Sequence, residues 1–342
     1  FKYKAKKIEK GSLEESGKRE TESLVSVYFF VRDLINMPAN ILGPNQIYKA
    51  CLKFLKNNFS HKLIVGEKLK KNFPLISAVG QGASNSKKPM FCEFISKNKK
   101  LKKKIFIVGK GVSFDTGGLN LKGGGGMLLM KKDMGGAANA IGLAKLLSQK
   151  KLNIEIHLLL CLVENSVSEN SVRPSDIIKS RKGLHVEIGD TDAEGRLIMA
   201  DALSYASEFD PELIIDLSTL TGASRVAMGL DVPSFFSNDD DLSMSLIHSS
   251  KEVGDPLWQL PLWQNYSDQL SSVHADIKNI GNGPFGGAIT AALFLEKFVG
   301  KKIPWIHVDM MAWSKPNKLS NYEGGEAMGI RALAHLIEKR FS

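Results

Sequence analysis

No apolar run in this 342-residue sequence reaches the roughly 20 residues that a membrane-spanning helix requires; the longest cover 154–163 and 24–31. Insertion by such a helix is excluded. Cysteine is scarce. Cys51, Cys92 and Cys161 are an odd set, and Cys161 lies within an apolar strand run where a thiol packs as a small hydrophobe. A disulfide framework is therefore not indicated, and a reducing, cytoplasmic setting is expected. Aromatic residues are missing from the lysine runs at 68–71 and 97–104, which contribute to a net charge of +10. Those runs read as hydrophilic connectors, not as the aromatic-laced stacking surface of a nucleic-acid binder. The chain shows no internal repeat and no low-complexity segment beyond the glycine run at 123–126.

What is present is enough apolar material, 43% of residues, to bury a sizeable core. Apolar residues at helical spacing predict helices over 24–36 and 45–55, the second started by Pro44. Further helices are expected at 134–150, 197–209, 288–299 and 329–341. Strands are expected at 62–65, 75–79, 90–95, 105–108, 154–163, 213–217 and 305–309, with Asp239-Asp-Asp241 as a surface turn. The 134–150 helix is apolar nearly all round, which predicts burial. Alternation of strand and helix argues for the α/β class: a mainly parallel, doubly wound sheet with helices on both faces.

The stretch from Gly109 to Gly136 joins an apolar strand to an apolar helix and strings Lys110, Asp115, Lys122 and Asp133 along a glycine-rich backbone. A second acidic cluster, Asp190-Thr-Asp-Ala-Glu-Gly-Arg196, adds Asp192 and Glu194. Each carboxylate has an ordinary reading. Asp133 could cap the following helix, Thr191 and Glu194 match a capping box, and Asp115 could be a turn residue. Convergence argues otherwise. Several carboxylates, two lysines and an arginine all follow strand candidates, and a doubly wound sheet brings such junctions to one edge, where ligands bind. A phosphate-cradling loop is the nearest alternative, but the Gly-Lys-Ser/Thr ending of a P-loop is missing. His307, beside Trp305 on the last strand, reads as a core histidine.

The pattern Gly109-Lys-Gly-x-x-Phe-Asp-x-Gly-Gly-x-x-x-Lys122, with Met130-x-x-Asp-Met-Gly-Gly136 and Thr191-Asp-Ala-Glu-Gly-Arg196, resembles the leucyl (cytosol) aminopeptidase family of dimetal exopeptidases. The likeness runs from about Arg32 to the end, and the tail resembles a bacterial branch. Asp190 stands where that family usually has Asn. The resemblance implies a hydrolase that removes the N-terminal residue of peptides with a hydroxide bridged between two divalent ions. These would be zinc, with manganese or magnesium accepted at the looser position. It implies Lys110, Asp115, Asp133, Asp192 and Glu194 as metal ligands and Lys122 and Arg196 as catalytic residues. Lys122 would stabilise the oxyanion, and Arg196 would hold a bicarbonate that shuttles the proton. Met130, Thr219, Leu220 and Gly222 would line the side-chain pocket, and a thioether wall suits medium apolar side chains. The expected partners are peptides with a free N-terminus and, as a homohexamer, further copies of the chain. Residues 1–22 read as a mobile lead-in or the remnant of an N-terminal domain, and 23–342 as the catalytic domain.

Overall fold

The computed structural model describes residues 15–97, 101, 103–316 and 322–342. Helices α1 (Glu15–Asn36) and α2 (Pro44–Leu55) lead into strand β1 (Phe59–Val65). Short helices α3 (Gly66–Asn72) and α4 (Pro74–Gly80) precede strands β2 (Met90–Ser96) and β3 (Lys104–Asp115). One helical turn, α5 (Gly124–Met127), and a 3₁₀ turn at Met130–Met134 open into helix α6 (Gly135–Leu147). Strand β4 (Glu155–Asn165), the short strands β5 (Ile177–Lys179) and β6 (His185–Glu187), helix α7 (Glu194–Ser207) and strand β7 (Leu213–Ser218) follow. Then come α8 (Gly222–Met228), β8 (Ser234–Ser237), α9 (Asp240–Val253), β9 (Trp258–Gln259) and β10 (Ile277–Lys278). The chain closes with α10 (Gly287–Glu296), β11 (Trp305–Asp309), β12 (Trp313–Ser314), β13 (Gly324–Gly325) and α11 (Ile330–Phe341).

The main sheet has the order β1-β2-β4-β3-β7-β11-β8-β9. Its centre, β4-β3-β7-β11, is parallel, and antiparallel pairings join β1, β2 and β8 to it. Helices cover both faces. Val31, Ile47, Ile141, Leu246 and Leu333 form the core on one side; Leu69, Ile76, Met199 and Phe294 do so on the other. The expected doubly wound α/β class is therefore observed. Strand β3 lies between β4 and β7, so the chain leaves it on one side and returns on the other. The carboxyl end of a strand at such a switch point opens a crevice.

The apolar helix expected near 134–150 is buried almost all round as α6. Two expectations fail. Residues 75–79 form helix α4 instead of a strand, because a short apolar run has no decisive period. Pro74 suits the first helical position, and the Asp201 carboxylate accepts from the free Leu75 and Ile76 N–H groups at 2.8 and 3.4 Å. Asp239 begins no mere surface turn. Its carboxylate accepts from Leu242 N at 2.9 Å and caps helix α9, which the sequence reading missed.

Residues 15–22 of the presumed lead-in belong to α1; residues 1–14, and 98–100 and 102 of the lysine-rich connector, lie outside the described residues. Among the described residues no helix is long and apolar enough to cross a membrane. His307 is fully buried in the sheet with Nδ1 2.6 Å from Asp216 Oδ1, as a core histidine should be.

Candidate active site

Strand β3 delivers Lys110 from its interior and Asp115 from its last position. Gly109 allows the strand to approach α6, since a Cβ there would lie 2.7 Å from Ala137 Cα. Beyond Asp115 the chain reverses through Gly117 and Gly118, at φ +87° and +64°, a region that favours glycine. Asp115 Oδ1 accepts from Gly117 N at 2.9 Å and from the Asn165 amide, at the end of β4, at 2.8 Å. Its other oxygen, Oδ2, is 2.9 Å from Lys122 Nζ. The turn reading of Asp115 was right but incomplete.

Hydrogen bonds stitch this loop to the second acidic cluster. The Thr191 hydroxyl donates to Gly117 O at 2.6 Å and accepts from Asn120 N at 2.8 Å, while Thr191 N donates to Asn120 Oδ1 at 2.9 Å. Thr191 is thus no helix cap; Ala193 holds that position before α7 without a side-chain cap. Asp133 does not cap α6 either. Its Oδ2 lies 2.7 Å from Lys110 Nζ, and its Oδ1 accepts from the Thr219 hydroxyl at 2.7 Å.

Lys110 Nζ also meets Glu194 Oε1 at 3.0 Å and donates to Thr219 O at 3.2 Å, and Lys122 Nζ pairs with Asp192 Oδ1. Asp115, Asp192 and Glu194 each offer an oxygen within 4.8 Å of the others. Lys110, Asp115, Asp133 and Glu194 are buried, whereas the Asp192 side chain is 32% exposed and faces the opening. Burial opposes the charge on Lys110, but Asp133, Glu194 and Asp115 outweigh it and hold its pKa above the usual lysine range. Lys122 is held high in the same way by Asp115 and Asp192. Burial and the neighbouring Asp115 push the Asp192 carboxyl up to about 6 and Glu194 well above its ordinary value. Added positive charge would favour the ionised form of both Asp192 and Glu194.

A bound cation would supply that charge. Asp133 Oδ2, Asp192 Oδ1 and Glu194 Oε1 are shielded from water, and each is met by a lysine ammonium in its place. Carboxylate oxygens suit divalent ions, and Lys110 would join them as a ligand only as the neutral amine, its proton displaced by the ion.

On α7, Arg196 donates from Nη1 to Asn279 O at 2.7 Å, and burial draws its guanidinium down to about 10 against the pull of Glu194, Asp190 and Asp309. Asn279 also fixes the acidic turn, accepting from Gly189 N at 2.7 Å and donating to Asp190 O at 2.7 Å. Past β7, Asp309 accepts from Leu220 N at 2.9 Å and from the Thr221 hydroxyl at 2.6 Å. The cavity so formed measures about 370 Å³, and every residue singled out from the sequence lines it: the two lysines, the four carboxylates, Arg196, Met130, Thr219, Leu220 and Gly222. The sequence reading missed Asn165, Asn279 and Asp309, whose roles depend on distant partners. It also missed Lys132 and Arg225 in the wall; burial takes the Lys132 pKa down to about 8.

The cytosol aminopeptidase family, catalytic domain, matches residues 29–334. The probable cytosol aminopeptidase of Persephonella marina is 43% identical over 283 residues, covering 82% of this chain and 56% of that protein. A crystal structure of cytosol aminopeptidase from Coxiella burnetii aligns with a TM-score of 0.93 at 43% identity, over 96% of this chain and 72% of that one. The bottromycin maturation enzyme BotP in complex with Mn aligns at 0.90 and 31% identity, over 96% and 73%. Against the first three curated relatives, the chain spans 56%, 64% and 66% of their length.

Proposed function

The chain belongs to the cytosol aminopeptidase family, and from that premise we propose that it is a metal-dependent aminopeptidase releasing the N-terminal residue from peptides. The observation that carries the proposal is the meeting of Asp115, Asp192 and Glu194 within 4.8 Å at the switch point of the sheet. Lys110, Asp115, Asp133, Asp192 and Glu194 would hold two divalent ions, zinc or, at the looser position, manganese or magnesium; the relative BotP was solved with Mn. Ions held there supply Lewis-acid polarisation of a peptide carbonyl and a lowered pKa for water.

The remaining steps belong to side chains. Lys122 keeps its proton because Asp115 and Asp192 flank it, so its ammonium stabilises negative charge growing on the scissile carbonyl oxygen. Arg196, anchored by its hydrogen bond to Asn279 O, presents a planar cation that would hold a carboxylate-like anion such as bicarbonate, which would supply a proton relay. Met130, Thr219, Leu220 and Gly222 wall the pocket for the first side chain. Residues 23–342 serve as the catalytic domain, the setting is cytoplasmic, and the assembly is a homohexamer.

Chelation should abolish hydrolysis of aminoacyl amides, and added zinc or manganese should restore it, with elemental analysis reporting the ion held. Asp192→Asn should lose activity while keeping its circular dichroism spectrum. Full activity after complete removal of metal would refute the reading.

A further inference from the structure

We infer that the pocket for the first side chain selects an acidic residue, Asp or Glu, whose carboxylate is received by Lys132 and Arg225. The inference rests on the aminopeptidase reading above and adds the class of substrate. Lys132 is 1% exposed, lines the cavity, and among the described residues has no hydrogen-bond or ion-pair partner. That is unusual for a buried cation, since removing charge from water is costly unless a partner compensates.

The nearby carboxylates are already engaged. Asp133 is divided between Lys110 and Thr219, and Asp309 accepts from Leu220 N, Thr221 N and the Thr221 hydroxyl. The other cavity cations have partners too: Lys110 and Lys122 in carboxylates, Arg196 in Asn279 O.

Among the described residues Arg225 is the second cation of the wall without a hydrogen-bond or ion-pair partner. It lies half-buried on α8, and its Nη2 sits 3.5 Å from where a Cβ on Gly222 would stand, so its guanidinium folds back toward the cavity. A neutral first residue would leave the Lys132 ammonium in the cavity wall without a counter-charge. A carboxylate would receive charge-assisted hydrogen bonds from both groups. The apolar preference expected from Met130 took account of the thioether alone; the cation two residues along, and a second from α8, were invisible to that reading.

The test compares kcat/KM of the metal-loaded protein for Glu, Gln, Asp, Asn and Leu amides at neutral pH. Glu should exceed Gln, its neutral isostere, by about tenfold or more, the worth of a hydrogen bond to a charged group. Lys132→Met and Arg225→Gln should each bring that ratio toward one. Lys132→Met should also raise Tm, because it removes an unpaired buried charge; should it fail to fold, the half-buried Arg225→Gln carries the same comparison. If Gln and Leu amides are cleaved as well as Glu, the inference falls and the aminopeptidase reading stands. If no amide is cleaved, both fall. A lower Tm in Lys132→Met with an unchanged Glu-to-Gln ratio would make Lys132 a structural counter-charge and overturn the inference.

Discussion

Asn165 gives its amide hydrogens to Asp115 Oδ1 at 2.8 Å and to Thr191 O at 3.2 Å, and so sets the spacing between the two acidic segments from a third strand. A residue that orients a metal-binding carboxylate commonly governs affinity more than fold. Asn165→Ala should therefore weaken metal binding by about 10–100-fold, read by competition with a chromophoric chelator; unchanged affinity would show that Asp115 is held without it. The carboxylates and lysines of the site were legible because charge among glycines after an apolar strand is conspicuous. Asn165, Asn279 and Asp309 were not. Each is an ordinary polar residue whose meaning comes from a partner far along the chain, as Asn279 shows with Asp190, 89 positions away.

At the level of elements, close approach of α6 to the sheet positions Asp133. A Cβ on Gly136 would stand 2.2 Å from Leu217 O and 2.7 Å from Ser218 Cα, which are backbone atoms of β7 with little freedom to yield. Gly136→Ala should destabilise the protein by about 1–3 kcal/mol in urea denaturation, the usual cost of overpacking. A neutral result would mean that α6 can lift from β7. The helix itself was readable from its all-round apolarity, but α4 and α9 were not. The apolar residues of α4 suit either element until Asp201 arrives to accept the N–H groups of Leu75 and Ile76, and α9 starts at an Asp that looks like any surface turn until its carboxylate is seen on Leu242 N.

Across the whole molecule, the His307–Asp216 pair ties β11 to β7 at the centre of the sheet, and Asp216 also accepts from Trp305 Nε1 at 2.7 Å. Burial disfavours the His307 charge, but Asp216 outweighs it and raises its pKa above 6.5. Because the folded value exceeds the unfolded one, the pair stabilises fully below about pH 6.5 and loses that contribution as pH rises through the raised value. The stability advantage of the wild type over His307→Gln should therefore shrink as the pH rises above about 6.5 in urea denaturation. A constant or growing advantage would contradict the assignment.

By itself the sequence determined the α/β class, the four strands of the parallel centre and part of the cavity lining, because strand and helix periods are local properties and the charged motifs are contiguous. Only the tertiary structure decided which carboxylates share space, which polar residues orient them, and that Lys132 is buried without a partner among the described residues. Those facts depend on groups brought together from β3, β4, β7, α7 and α8, and pairing between distant segments leaves no trace in the spacing of either one.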